Sequence, residues 1–186
     1  MFNERKTAQA AAYLLHRAGG RLPLIKLLKL MYMAERHSLE HYGEPLTGDS
    51  LVSMEHGPVL SRTLNHINGA VPSIQGGWDS WISDRAEHDV ALRDASMITD
   101  PSLDLTALSE SDIDALSTVW DRLGHMEKFD IVKFTHDNCS EWKDPGVSMI
   151  PISHGDVFSA VGYSSEQADA LERRLNQQRK LESAFS

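Results

Sequence analysis

His37-Ser38-Leu39-Glu40-His41 is the stretch of this 186-residue sequence whose residue types most directly suggest catalysis. It matches H-x-x-E-H, in which two histidines four apart share a helix face and bind zinc while the glutamate activates a metal-bound water. Against it, the chain has nine histidines, so chance matches are easy, and no third ligand of defined position stands out. Both histidines fall on the polar stripe of their helix, which makes a solvated pair the simpler reading. Cys139 follows His136 by three residues, a spacing that would set a thiol beside an imidazole on one helical turn. No orienting acid or oxyanion-hole loop accompanies it, and a packed structural cysteine is the alternative. Gly19-Gly20 and Gly76-Gly77 lack the spacing and the following Lys-Ser/Thr of a phosphate loop, which excludes an ATP or dinucleotide site. The sequence thus shows no catalytic set, no cofactor site and no metal site that stands on its own.

The element that must position these residues is Leu24 to Tyr42. Leu24, Leu27, Leu28, Met31, Ala34 and Leu39 recur at helical spacing, and Ile25, Leu30, Tyr32 and Met33 add apolar surface on other faces. A helix this apolar around its circumference belongs at the centre of a core. Its polar stripe is narrow: Lys26, Lys29, Arg36, His37 and Glu40. Pro23 suits the first helical turn, Gly43 ends the helix and Pro45 stops it restarting. Leu51 to His56 then alternates as a short strand, Gly57-Pro58 ends it, and a second helix is expected over 58–68.

Asn3 to Arg17 reads as a first helix, capped by Asn3 and stopped by Gly19-Gly20. Gly69 to Gly77 is a loop. Trp81, Ile82, Val90 and Leu92 suit a small hairpin turning near Arg85 to Glu87, and Ala95 to Asp104 a surface loop. Ser109 and Asp112 mark the start of a helix that runs to Gly124. Phe129 to Asn138 is a further helix, Lys143-Asp144-Pro145-Gly146 a turn, and Ser153 caps a helix from His154 to Val161. The last helix, from Glu166 to about Ser183, has a seam of Ala168, Leu171 and Leu175 that Gln178 and Glu182 interrupt. Such a helix packs only at its start or awaits a partner. The expected fold is α+β and mostly helical, a helical domain with a small antiparallel sheet or hairpin. Residues 1–163 form the domain and 164–186 a C-terminal helical extension.

Hydrophobic content of 41% is enough for a core, and no apolar run approaches the ~20 residues of a membrane span. The opening residues do not read as a signal peptide. One cysteine excludes an internal disulfide and fits a reducing cytoplasm. The net charge of −9 is uneven: residues 1–42 carry +4, leaving −13 for the remainder. An acidic chain repels nucleic-acid phosphates overall, and only the basic first 42 residues speak for promoter binding. The acidic part suits either solubility or a basic protein partner.

The stretches KLLKLMYMAERHSLEHYGEPLTGD and VSMEHGPVLSRTLNHI, followed far downstream by FDIVKFTHDNCSEWKDPG and MIPIS, resemble the Panacea domain of SocA-like bacterial antitoxins. The resemblance lies in a helix of K-L-x-K-L-x-Y type, then Y-G-x-P-L, then a strand ending in G-P-V, a later T-H, a tryptophan and a final P-I, over roughly residues 5–163. It implies an antitoxin, not an enzyme, that binds a co-encoded toxin of a bacterial or phage system, and in some members delivers it to a protease. It implies no metal at His37 and His41. A zinc-dependent hydrolase built on the H-x-x-E-H stretch is the reading from another class. Arginine, aromatic and methionine side chains are favoured at interface centres. Tyr32, Met33, Arg36, Met54, His56, Val59, Arg62, His136 and Trp142 are accordingly the candidate partner-binding residues. The competing reading puts Tyr32, Met54 and Trp142 in the core, pairs Arg62 with Glu35 or Glu55, and bonds His136 to a carbonyl at its helix end. A homodimer through the last helix stays open.

Overall fold

The computed structural model describes residues 1–83 and 86–185. In chain order, α1 (Glu4–Arg17) leads through Gly19-Gly20 into β1 (Arg21–Pro23), the central α2 (Leu24–Tyr42), and then β2 (Leu51–Met54) and β3 (Gly57–Leu60). Next come α3 (Ser61–Ile67), the one-turn α4 (Trp78–Trp81), β4 (Asp89–Ala91), a 3₁₀ turn at Ala95–Met97 and the short α5 (Pro101–Asp104). The chain continues with α6 (Glu110–Leu123), α7 (Lys128–Asn138), β5 (Ile150–Ile152), α8 (His154–Ala160) and α9 (Ser165–Ala184). The fold is mostly helical with two small antiparallel sheets, one pairing β1 with β4 and one of order β3-β2-β5.

The helix ends follow local chemistry. The Asn3 side chain accepts from the Lys6 N–H at the start of α1. Ser109 with Asp112, Ser153 with Asp156 and Ser164 with Gln167 form reciprocal capping boxes on α6, α8 and α9. Gly43 closes α2 with φ +64°, a left-handed conformation that costs a residue with a Cβ. α2 runs through the core with α1, α6, α7 and the β2–β3 hairpin packed around it. Tyr32, Leu27, Leu30, Met31 and Leu39 are fully buried along it.

Several expectations need correction. Gly57-Pro58 does not end the strand and open a helix. It opens the return strand of a hairpin, with Met54 opposite Gly57 and Ser53 opposite Pro58, so that Glu55-His56 is the two-residue loop. A proline is compatible here because β3 is an edge strand, and the next helix waits until Ser61. Pro23 lies in β1 at the N-cap of α2, with ψ 133°, rather than in the first helical turn. The expected hairpin over Trp81 to Leu92 is present in part: Ile82 bridges Leu92 and Ala86 bridges Asp89, both antiparallel, but Trp81 is helical and Val90 pairs with Leu22 of β1. Arg85, placed at the turn, lies outside the described residues. The 95–104 segment contains two short helical turns with the buried Ile98 between them and ends beside the buried Leu105. Lys29 is not on a polar stripe: it is fully buried, and so is Glu35. Ile150–Ile152, whose Pro-Ile pair the resemblance had marked, is the third strand of the larger sheet.

Candidate functional site

The β2–β3 hairpin projects Glu55 and His56 into solvent, and Lys29 of α2 with Trp142 and Lys143 just beyond α7 hold it through bonds to Pro58, Met54 and Ser53. Lys29 sends its stem through the apolar interior and donates from Nζ to the Pro58 carbonyl at 2.8 Å. Burial pushes its ammonium down to about 7, against a weaker opposing pull from Cys139. Gly57 passes directly over this group with φ +95°. A Cβ there would stand 2.9 Å from both Lys29 Nζ and Thr135 Oγ1 and 3.1 Å from the His136 ring. Glycine is required on two counts, its backbone conformation and the close approach of α7.

One helical turn along α2, Tyr32 donates its hydroxyl to Glu141 Oε1 at 2.8 Å, and Arg36 donates Nε to the same oxygen at 2.9 Å. Arg36 also reaches the Asn138 carbonyl at 3.3 Å. The Glu141 carboxylate is buried, and its second oxygen has no partner among the described residues. Burial, reinforced by that carboxylate, holds the Tyr32 hydroxyl well above the usual tyrosine range. Cys139 is buried against Met33, Sγ to Sδ 3.7 Å, and burial raises its thiol to about 12. A thiol so far from ionising is a packing group, which disposes of the cysteine–histidine pair as a nucleophile.

His136 instead stacks on Trp142, ring centroids 4.1 Å apart and planes within 7°. Trp142 donates its indole N–H to the Met54 carbonyl at 3.0 Å, just before the hairpin loop. The Lys143 N–H reaches Ser53 Oγ at 3.2 Å. Burial lowers the His136 pKa, helped by Lys29, and its Nε2 has no partner among the described residues. Between α2, α3 and the hairpin runs a shallow apolar groove of about 230 Å³, lined in part by Leu24, Ile25, Met54, Val59 and Leu64.

The nine candidate partner-binding residues therefore divide. Met54, His56, His136 and Trp142 come together at the hairpin, and Arg36 lies beside them through Glu141 and Asn138. Tyr32, Met33 and Val59 are buried, so they support this surface instead of presenting it. Arg62 is apart: its guanidinium sits over the Phe2 ring at 5.2 Å, not on Glu35 or Glu55. It lines a separate cavity of about 550 Å³ with Phe2, Asp49, His154 and Arg179. Sequence reasoning missed Lys29, Glu141, Glu35 and Asp49. Glu35 Oε2 accepts from the Thr47 N–H and hydroxyl, at 2.8 and 2.7 Å, and burial raises its pKa to about 7. Asp49 caps α3 through the Arg62 and Thr63 N–H groups. Lys29 had a sequence signal as the second lysine of the K-L-x-K-L-x-Y pattern, and Glu141 had one directly before Trp142.

His37, Glu40 and His41 cluster on the surface of α2, His37 and Glu40 half-buried and His41 exposed. Burial, then the neighbouring His41, lowers the His37 pKa.

The family model for the SocA-like antitoxin, Panacea domain, matches residues 27–143. The chain belongs to this family. No curated protein and no solved structure matches it. The Panacea match contains every group of the hairpin junction, from Lys29 through Gly57 and Thr135 to Trp142. It leaves out α1, β1, β5, α8 and α9. The Panacea assignment is to a non-catalytic antitoxin domain and implies a toxin as partner. No helix among the described residues is long and apolar enough to cross a membrane.

Proposed function

We propose that this antitoxin neutralises a co-encoded toxin by direct, stoichiometric binding, and that the hairpin junction is the surface it uses. The observation that carries this reading is the contrast at the junction. Tyr32, Arg36, Glu141 and Lys29 are locked beneath it, while Glu55 and His56 stand exposed and Trp142 and Met54 half-exposed above. An interface that must mask a partner gains from a surface preorganised in this way, because less freedom is lost on binding. The −13 charge beyond residue 42 favours a basic toxin face. Binding needs no turnover, and a chain whose one cysteine is a free thiol suits the reducing cytoplasm as the place of binding.

The test is growth of cells expressing the adjacent open reading frame with and without this chain. Rescue by the wild type, lost with His56→Glu and Trp142→Ala while both variants still melt cooperatively, supports the reading. Rescue that survives both variants removes the hairpin from the interface. A harmless neighbour removes the antitoxin reading altogether. A proteolytic adaptor is the second reading, favoured by Leu181 and Phe185, which stand 61% and 89% exposed at the far end of α9 and would suit a protease. Toxin abundance during rescue separates the two: masking leaves it unchanged, and delivery lowers it in a protease-dependent way.

A further inference from the structure

We infer that His37, Glu40 and His41 form a surface binding site for a divalent transition-metal ion of the zinc or nickel class, with all three side chains as ligands. One ligand atom from each lies within 4.8 Å of the others. The two rings already face each other, centroids 3.9 Å apart and planes at 20°. Side-chain rotations that unstack the two rings would turn their in-plane lone pairs onto one ion at the ~2.0–2.1 Å metal–nitrogen distance, since both histidines leave the same side of one helix. His41 is further prepared. Its Nδ1 lies 3.2 Å from the His37 carbonyl and 4.0 Å from Glu40 Oε2, and in the tautomer with the proton on Nδ1 the carbonyl holds the ring and Nε2 is free to bind. A hydrogen bond on the far nitrogen is the arrangement that orients metal-bound imidazoles.

The charges around the cluster come from α2 itself and from α6. Arg36 is engaged by Glu141. Asp114 of α6 receives the Tyr42 hydroxyl at 2.6 Å and faces His37 with a favourable negative charge. Arg122 of α6 opposes a cation there, although its guanidinium is drawn over the Phe134 ring at 5.6 Å. Two imidazoles and one carboxylate select zinc, nickel or copper over magnesium or calcium, which take oxygen ligands.

The spacing of the motif suggests a glutamate acting as base, but the geometry makes Glu40 the third ligand. The hollow beside His37 and Glu40 is lined also by Arg36 and Arg122 and measures about 20 Å³, room for one water, while His41 lies outside it and open to solvent. The proposed site holds an ion, its remaining positions filled by water.

Isothermal titration of untagged full-length protein with zinc chloride, and separately with nickel chloride, tests this. One equivalent should bind, and His41→Ala and His37→Ala should each weaken binding by about tenfold or more. Glu40→Gln should weaken it less. His125→Ala, an exposed histidine elsewhere, should bind as the wild type does, and magnesium should give no heat. His41 is exposed, so His41→Ala should keep the wild-type melt. Absence of stoichiometric binding, or binding that His41→Ala leaves unchanged, overturns the site.

Discussion

The hairpin junction and the seat of α9 attach parts of the chain to the same core by opposite means. At the junction a lysine, a glutamate and a tyrosine are withdrawn from water and bond specific partners, Glu141 accepting from both Tyr32 and Arg36. At α9 the attachment is two buried side chains, Ala168 and Leu175, with the half-buried Leu171. To these are added partly exposed arginines: Arg174 on the Gly43 carbonyl and Glu44, and Arg179 on His154. Buried polar groups are costly to leave unpaired, so they penalise any arrangement but one. Apolar contact and exposed ion pairs tolerate sliding and partial loss. The difference suggests that position is enforced at the junction, inside the family match, and that mere attachment suffices at α9, outside it.

The largest expected effect is at Glu141. Glu141→Ala strips partners from Arg36 and Tyr32 at once and should cost about 3–5 kcal/mol in urea unfolding. A loss below about 1 kcal/mol would mean the junction is no more exacting than the α9 seat. Gly57→Ala should follow at about 2–3 kcal/mol, since it combines a strained positive φ with a Cβ pressed on Lys29 and Thr135.

The buried ionisable groups sharpen the comparison by pH. Lys29 has a folded pKa lowered to about 7. Its unfolded state therefore binds more protons between about pH 7 and its ordinary value near 10.4, and stability should rise with pH across that window. Glu35, raised to about 7, does the reverse: stability should fall as pH rises from about 4.3 to 7. Urea midpoints measured across both windows should lose the alkaline rise in Lys29→Met and the acid-side fall in Glu35→Gln. Unchanged profiles in both variants would show that neither group is titrating as a buried charge.

Deleting residues 164–186, proposed as a separable extension, should lower stability by about 2–3 kcal/mol through the lost apolar burial and leave one cooperative melt. Collapse of that melt would erase the contrast and move the domain boundary past 163. Least affected in stability is Arg62→Glu, whose lost contact with Phe2 is worth about 0.5–1 kcal/mol. Because Arg62 faces a different cavity from the hairpin, neutralisation should weaken only modestly. A complete loss of rescue would move the interface to the Phe2 side.

What could be read in advance follows the range of the interaction. Asn3, Ser109, Ser153 and Ser164 announce their helices because a cap acts within three residues. α2 is legible because its apolar positions repeat over nineteen residues. Gly57-Pro58 misled because the same dipeptide ends a helix-bound loop or turns a hairpin, and only pairing with β2 decides. Lys29 looked like part of a solvated stripe, since nothing within its own helix shows that the Pro58 carbonyl, twenty-nine residues on, will meet its ammonium. Glu141 bonds residues more than a hundred positions away. The site was therefore foreseen in its side chains at the surface and missed in its foundations.

The three-stranded sheet also limits how another protein can approach. On one flank the Pro58 carbonyl is already taken by Lys29, and α2 and α7 cover β3. On the other, β5 is three residues long and its middle one is Pro151, exposed and without an N–H to donate. A foreign strand finds no continuous ladder to zip onto from either flank. A protein that must meet partners on demand is thereby guarded against stacking with copies of itself, and recognition is left to side chains that evolution can exchange one at a time.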